Sequence, residues 1–435
     1  MANASQTAPS PGEQFSSFRA ALIVVTALFF MWGFLTALND ILIPHLKAVF
    51  VLNYTQTMLI QFTFFSAYFV MSLPSGKIVS LFGYQPGIII GLVTSAIGAF
   101  LFYPAASLHS YPLFLTALFV LASGITLLQV AANPYVAALG DPDTASSRLN
   151  LAQAFNSLGT TIAPYLGGIL ILSTSVLSAE QMAAMNPHDL AVYQQGEAES
   201  VQMPYIFLGL TLLVLAGVIA MFKLPRILDT EYDDTSEQHG TFKDVLKFSH
   251  LRLGVIGIFV YVGAEVAIGS FLVNYLAEDF IAGFTERQAA KYVSYYWGGA
   301  MIGRFIGSAL MQRMNPGRLL GLAAGIAAAL VATTILSSGF IAMWAVLAVG
   351  LFNSIMFPTI FTLGIRKLGN LTGRASSLLV MAIIGGAVVP LLQGGLADII
   401  GIQYGFVLPF ICYLYILWYG FVGSKTDPKV ESANL

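Results

Sequence analysis

Two carboxyl groups stand alone in long apolar stretches of this chain. Asp40 is the only charged residue between Arg19 and Lys47, and Glu265 is equally isolated in a later apolar stretch. An ionised carboxylate near the middle of a bilayer costs about 2.5–3.5 kcal/mol, so such a residue usually serves proton or substrate movement. Because burial favours the neutral form, the group can release and rebind a proton as water enters and leaves. The sequence predicts proton binding at Asp40 and Glu265, or otherwise a structural acid with a fixed partner at either position.

Amide side chains recur at helical spacing in other apolar stretches. Gln153 and Asn156 are three residues apart and Gln129 and Asn133 are four apart, so each pair lies on one helix face. Amides donate and accept hydrogen bonds, as sugar hydroxyls require, and aromatic rings cover the C–H face of a sugar. The alternative for each amide is a packing role, as a hydrogen-bond partner of a neighbouring helix. The expected substrate-binding residues are Trp32, Asn39, Asp40, Gln129, Asn133, Gln153, Asn156, Glu265, Asn274, Tyr296, Trp297, Asn353 and Gln393.

The composition is that of a membrane protein. Of 435 residues, 57% are apolar and 9% are charged, whereas soluble domains carry about 25% charged residues. Apolar stretches of about 20 residues, the length a helix needs to cross a bilayer, recur over nearly the whole chain. The net charge is −2 and no tract combines basic and aromatic residues, so nucleic acid is not an expected partner. The predicted fold class is all-α integral membrane, with twelve transmembrane helices.

The spans divide into two groups of six. They are expected at 20–45, 57–81, 87–107, 112–139, 149–173 and 204–223, then at 251–277, 289–311, 318–337, 340–365, 375–399 and 404–423. The predicted domains are a cytoplasmic tail (1–19), an N-terminal six-helix bundle (20–223), a charged cytoplasmic linker (224–250), a C-terminal six-helix bundle (251–423) and a second cytoplasmic tail (424–435).

An internal repeat relates the two bundles. Two groups of residues in the first half recur in the second half with the same internal spacing and at nearly the same offset along the chain. Gln129, Pro134 and Gly140 match Asn353, Pro358 and Gly364. Arg148, Gly159 and Pro164 match Arg374, Gly385 and Pro390. Such repeats predict pseudo-symmetric bundles with a substrate site between them near the middle of the membrane. The prolines are expected to kink their helices, either as hinges or to fit the packing.

The distribution of basic residues predicts the orientation. With both termini in the cytoplasm, all but three of the 19 Lys and Arg residues lie on or near the cytoplasmic side, as the positive-inside rule requires. The exceptions are Lys47, Arg287 and Lys291. A multi-pass protein of the bacterial inner membrane is expected.

Three motifs resemble a known family. They are the run from Phe30 to His45 (FMWGFLTALNDILIPH), the run from Gln129 to Tyr135 (QVAANPY) and the run from Gln153 to Gly159 (QAFNSLG). The chain resembles the fucose:proton symporter family of the major facilitator superfamily, in particular its bacterial glucose/galactose transporter branch. The resemblance implies the major facilitator fold, a role for Asp40 in proton coupling and sugar recognition, and sugar contacts from Gln153 and Asn156.

The chain also departs from the fucose symporter. Gln129, which cannot titrate, stands where the resemblance places a glutamate, Ala37 stands for an asparagine and Phe357 for a tyrosine. Fucose is therefore not the expected substrate, and Glu265 is expected to serve as the second acid.

The expected function is secondary active sugar import by a proton-coupled hexose symporter that works by alternating access. Its substrate would be a glucose- or galactose-like or N-acetylated hexose. The alternatives are a sodium-coupled hexose symporter, a multidrug antiporter on the same fold, and a sensor or membrane enzyme, which would need a larger soluble domain or a nucleophile–base pair. No enzyme activity, metal centre or organic cofactor is expected. The expected coupling ion is H⁺ or Na⁺. The expected partners are a small-molecule sugar and the lipid bilayer, and the protein is expected to be a monomer.

Arg304 has two interpretations. It could pair with Glu265 inside the membrane. Because it follows Gly303 toward the cytoplasmic end of its span, the favoured interpretation is a side chain that snorkels to the interface or contacts a cytoplasmic loop.

Overall fold

The computed structural model describes residues 19–37, 54–170, 181, 184–200, 202–222, 224–225 and 242–426. Regular structure within these ranges is entirely helical. Asn39 and Asp40 lie outside the described residues, as do both predicted tails over most of their length. The predictions for these residues therefore stay predictions.

Twelve long helices lie within the described ranges, six in each half, with a surface helix and a four-residue helix, Phe242–Val245, between them. The N-terminal half contains α1 (Arg19–Ala37), α2 (Tyr54–Phe82), α3 (Tyr84–Ser107), α4 (Tyr111–Ala138), α5 (Ala145–Leu170), the surface helix α6 (Pro187–Ser200) and α7 (Gln202–Met221). The C-terminal half contains α8 (Ser249–Ala277), α9 (Glu286–Leu310), α10 (Pro316–Leu336), α11 (Gly339–Gly364), α12 (Gly369–Ile400) and α13 (Ile402–Gly423). These helices confirm the predicted fold class.

Two of the spans are more polar than the rest. Ten of the described helices are long and apolar enough to cross a membrane by composition alone, and α5 and α9 are not among them. Both are nevertheless long, with 26 and 25 residues. Polar residues on one face lower their mean hydropathy, which points to a water-accessible or ligand-binding surface on these two helices.

The predicted repeat is visible in how the helices pack. A Cβ atom added at Gly159 of α5 would overlap the carbonyl oxygen of Phe30 in α1, and one added at Gly385 of α12 would overlap the carbonyl oxygen of Phe259 in α8. Only glycine allows such close approach of two backbones. The same contact therefore joins the first and fifth spans of each half, which confirms the pseudo-symmetry.

The two halves also contact each other at the end of the bundle where α4 connects to α5, which we call the closed end. Ser147 and Ser308 bond reciprocally across the halves: Ser147 Oγ donates to the Ser308 carbonyl oxygen at 2.7 Å, and Ser308 Oγ donates to the Ser147 carbonyl oxygen at 2.9 Å. Ser146 Oγ lies 2.6 Å from Thr362 Oγ1. All of these residues are buried. The hydroxyl cluster, as we name it, consists of Ser146, Ser147, Ser308, Thr359 and Thr362.

Asn150 adds an amide to the hydroxyl cluster one turn deeper in α5. Its Nδ2 donates to Thr359 Oγ1 at 3.2 Å and to the Ser146 carbonyl oxygen at 2.8 Å. Asn150 is fully buried, so the closed end is sealed at this level by neutral polar groups from both halves.

Candidate functional site

A cavity of about 690 Å³ lies between the two halves, further from the closed end than the hydroxyl cluster. Its walls come from α1, α5, α8 and α9, so both bundles contribute to it. The polar side chains that line it, with one tryptophan, are Thr36, Asn156, Ser157, Thr160, Thr161, Glu265, Ser294, Trp297 and Arg304. Volumes of about 300–1,000 Å³ are typical of sites for small molecules.

One face of α5 supplies four of these side chains. Asn156 and Ser157 are followed at four-residue spacing by Thr160 and Thr161, so all four project from the same side of the helix. Thr160 Oγ1 and Thr161 Oγ1 each donate to the Ser157 carbonyl oxygen at 2.8 Å. Their hydrogens are thus used within the helix, and their oxygens remain able to accept hydrogen bonds from a ligand.

Asn156 is held in place by the neighbouring helix. Its Nδ2 donates to the carbonyl oxygen of Phe29 in α1 at 3.0 Å, close to where Gly33 lets α1 approach α5. This contact orients the amide at the cavity wall, so Asn156 combines the packing role and the lining role that the sequence left open.

Glu265 and Arg304 form the charged part of the cavity surface. Arg304 Nη2 lies 3.7 Å from Glu265 Oε1, and each side chain is only 13% exposed. Glu265 Oε1 has no hydrogen-bond partner among the described residues. The carboxylate therefore has a counter-charge, but its Oε1 makes no hydrogen bond within the described residues and can take up a proton or accept from a hydroxyl group.

The guanidinium of Arg304 contacts three helices besides its own. Nε donates to the carbonyl oxygen of Ser354 in α11 at 3.1 Å, and Nη2 faces Glu265 in α8. Nη1 donates to Ser157 Oγ and to the Gln153 carbonyl oxygen of α5, the latter at 3.4 Å. The favoured sequence interpretation, a snorkelling or loop-contacting arginine, is wrong because the side chain points between the helices and pairs with Glu265.

A proline makes the Ser354 carbonyl available to Arg304. Pro358 has no N–H group, so the carbonyl four residues earlier cannot receive its usual helical hydrogen bond. The helical pattern of α11 is interrupted between Asn353 and Met356, and the Ser354 oxygen accepts from Arg304 instead. The break in α11 thus supplies a fixed acceptor at the cavity.

A buried polar network lies behind Glu265 in the C-terminal half. Asn353 Nδ2 donates to Tyr296 Oη at 2.8 Å and to Tyr413 Oη at 3.1 Å, and Tyr296 Oη donates to the Glu265 carbonyl oxygen at 3.4 Å. Tyr261 Oη lies beside the Glu265 carboxylate on the same helix. Asn353 and Tyr296 are fully buried, so they support α8 and α9 and do not line the cavity.

A second network lies in the N-terminal half. Gln129 Nε2 donates to Tyr68 Oη at 3.1 Å, and Gln153 Nε2 donates to Asn133 Oδ1 at 3.4 Å. Gln129 Oε1 and Asn133 Nδ2 have no partner among the described residues. An unpaired acceptor and an unpaired donor therefore lie one turn apart on α4, both buried and outside the cavity lining.

The remaining predicted residues are dispersed. Trp32 is buried, with its ring centroid 5.3 Å from that of Phe29. Asn274 is exposed. Gln393 is fully buried, and neither atom of its amide has a partner among the described residues. Of the predicted site residues that are described, Asn156, Glu265 and Trp297 line the cavity.

Comparisons with known proteins assign the family. The model of the Major Facilitator Superfamily matches residues 20–383. The chain belongs to the Major Facilitator Superfamily. A glucose/galactose transporter of Brucella abortus biovar 1 is 55% identical over 406 residues, which are 93% of this chain and 94% of that protein. An L-fucose-proton symporter of Escherichia coli is 37% identical over 419 residues, 95% of each chain.

The solved structures agree with the sequence relatives. The structure of the Major Facilitator Superfamily transporter FucP in the outward conformation has a TM-score of 0.88 to this chain, with 36% identity, and covers 94% of this chain and 100% of that one. These findings confirm the resemblance seen in the sequence motifs. Because the relatives are transporters, they also confirm that this member of the superfamily is not an enzyme.

Sequence reasoning on this superfamily member missed several lining residues. Ser157 and Thr160 continue the three- and four-residue spacing of Gln153 and Asn156, so extending that pattern along α5 would have found them. Thr36 and Ser294 also line the cavity, but hydroxyl residues are common in membrane helices and neither carries such a signal.

Proposed function

We propose that this chain is a proton-coupled hexose symporter that imports a glucose- or galactose-like sugar by alternating access. The observation that carries the proposal is the cavity between the halves, which combines an amide, hydroxyls and a tryptophan with a buried carboxylate. The close relatives named glucose/galactose transporter and L-fucose-proton symporter support the substrate class and the coupling.

The cavity lining suits a monosaccharide. Asn156, Thr160 and Thr161 offer hydrogen-bonding groups on one wall, and Trp297, which is 42% exposed, offers a ring on the opposite helix α9. A sugar needs both kinds of group, since its hydroxyls bond to polar atoms and its C–H face packs on an aromatic ring. Lipophilic cations would gain little from so many hydroxyls, which disfavours the multidrug alternative.

Ala37 bears on the choice of sugar. It lines the cavity, and the resemblance places an asparagine at this position in the fucose symporter. An alanine offers no hydrogen bond there, so the sugar must differ in the groups it presents to α1. This supports a hexose of the glucose or galactose type over fucose.

Glu265 is the described residue best placed to carry the coupled proton. Its carboxylate is largely buried, faces the cavity and has an oxygen, Oε1, that makes no hydrogen bond within the described residues. Binding a proton there changes the charge that a sugar meets, so the two ligands affect each other's affinity. Asp40 is proposed as the other coupling acid on the strength of the resemblance.

We propose that the closed end faces the cytoplasm and that both termini lie there, in the bacterial inner membrane. The closed end carries Arg148 and Arg374, whereas Arg287 and Lys291 begin α9 at the opposite end. The positive-inside rule supports this orientation. The cavity then belongs to an outward-facing state, which agrees with the similarity to FucP in the outward conformation.

Transport by the purified protein in liposomes tests the proposal. A proton gradient and a sodium gradient are imposed separately, and uptake of radiolabelled glucose, galactose, N-acetylglucosamine and fucose is measured. Accumulation of glucose or galactose above the external concentration under the proton gradient alone is expected. Accumulation under the sodium gradient alone would instead support the sodium-coupled alternative, and no saturable sugar uptake would reject the substrate class.

A further inference from the structure

We propose that Arg304 is a positioning residue that keeps the closed end shut while Glu265 is charged and releases it when Glu265 is protonated. The inference rests on the proposed function only for the coupled proton on Glu265. It assigns to Arg304 the link between that proton and the movement of the two halves.

The guanidinium of Arg304 contacts both halves of the protein. Two of its nitrogens interact within the C-terminal half: Nε donates to the Ser354 carbonyl oxygen, and Nη2 forms an ion pair with the Glu265 carboxylate. The third reaches across to the N-terminal half, where Ser157 Oγ and the Gln153 carbonyl oxygen accept from it. The rigid fork of an arginine allows it to satisfy several acceptors at once. The side chain is therefore a direct tie between the two halves.

Arg304 and Glu265 compensate each other's charge in the cavity. Arg304 is the only cation among the described residues that line the cavity, and Glu265 is the only anion. A buried charge that loses its partner is strongly unfavourable. Once Glu265 is neutral, only neutral acceptors stabilise the guanidinium of Arg304. The guanidinium is then more stable in contact with water than in its buried position. Water must then enter between α5 and α9, which weakens the contact with Ser157.

The contact between Arg304 and Ser157 lies next to the hydroxyl cluster. Ser157, Asn150 and Ser147 follow one another along α5 toward the closed end, and Arg304 and Ser308 are one turn apart on α9. The Arg304 contact is thus continuous with the hydroxyl cluster and lies on its cavity side. Loss of this contact exposes the hydroxyl cluster to water, so the two halves can separate progressively from the cavity toward the closed end.

The surroundings of Glu265 contain no competing ionised group among the described residues. Tyr261 lies on the same helix, Tyr296 and Arg304 approach from α9, and Tyr413 approaches from α13. The tyrosines are neutral phenols. Among these described neighbours, protonation of Glu265 therefore changes the charge balance with Arg304 alone.

A distance measurement across the closed end tests the proposal. Spin labels are placed at Asp143→Cys in the N-terminal half and Gln312→Cys in the C-terminal half, both exposed positions. Cys412, the single native cysteine, is replaced by alanine. Double electron–electron resonance in nanodiscs then reports the separation at alkaline and acidic pH. In the parent protein, acidification should shift the distribution toward longer separations.

Two variants should remove this response. Arg304→Gln should populate the longer separation at both pH values and lose the pH dependence, and Glu265→Gln should do the same. The double variant should match the single ones, because each removes the same tie. Arg313→Gln, which removes an exposed cation just beyond α9, is the matched control and should behave like the parent.

The proposal can be tested even if the Arg304→Gln variant does not fold or the proposed transport function is wrong. Should Arg304→Gln not fold, as judged by size-exclusion chromatography, Ser157→Ala weakens the same tie from α5 and should lengthen the separation. Unchanged distances and pH dependence in the folded variant would overturn the proposal even if uptake is proton-driven. If the label separation depends on Arg304 and on pH but the protein does not couple sugar uptake to protons, the role of Arg304 is supported and the proposed function is rejected.

Discussion

The strongest quantitative prediction concerns the reciprocal serine pair at the closed end. Ser147 and Ser308 exchange two hydrogen bonds across the halves, at 2.7 and 2.9 Å, and both residues are buried. A neutral hydrogen bond contributes about 0.5–1.5 kcal/mol net. The double variant Ser147→Ala/Ser308→Ala should therefore destabilise the closed arrangement by about 1–3 kcal/mol, which changes its population relative to the open one by about 5–150-fold.

The assay is the spin-label distance between positions 143 and 312 at alkaline pH, where the parent is expected to be closed. The double variant should show a clear population at longer separation. Ser72→Ala is a suitable control, because this buried hydroxyl donates within its own helix, to the Tyr68 carbonyl oxygen at 2.6 Å, and should not move the distribution. If the double variant keeps the parent distribution, the hydroxyl cluster does not hold the closed end and the reasoning fails.

Further predictions concern coupling, packing and recognition. Glu265→Gln should abolish sugar accumulation against a gradient while leaving sugar exchange, measured as counterflow in liposomes; unimpaired uphill uptake would remove Glu265 from the coupling mechanism. Gly159→Ala and Gly385→Ala should each lower the apparent thermal stability by an amount equivalent to about 1–3 kcal/mol, because the new Cβ would overlap a carbonyl oxygen of the neighbouring helix. Gly217→Ala, which meets nothing within 4 Å, is the control, and equal melting temperatures for all three would contradict the packing argument. Thr160→Val should weaken sugar binding by about 2–10-fold, measured by equilibrium binding, since it removes one hydroxyl from the cavity wall at constant shape; wild-type affinity would place the sugar elsewhere.

Much of the fold could be predicted from the sequence because a bilayer restricts the possible structures. The length of each apolar stretch predicts where a membrane helix lies, and the spacing of glycine and proline predicts the repeat. The Gly159 and Gly385 contacts give the repeat a structural role, because each position admits no side chain where two helices meet.

The site was less predictable because spacing gives a helix face but not what lies opposite it. Gln129, Asn133 and Gln153 do share faces, yet they bond to Tyr68 and to each other and lie outside the cavity lining. The same limit applies to Arg304. Its distance along the helix suggested an interface position, whereas the carbonyl released by Pro358 and the carboxylate of Glu265 hold it inside the bundle.

The neutral character of the hydroxyl cluster has a consequence for the conditions in which the protein can work. Dissolved ions weaken attraction between exposed charges, with a Debye length of about 8 Å at physiological ionic strength, and have little effect on bonds between uncharged groups. The described cross-half bonds of this cluster join serines and threonines, and the nearby guanidinium is shielded from solvent. The balance between the two orientations should therefore be nearly the same in dilute and in saline media, so that a cell changing osmotic environment would retain the same transport cycle.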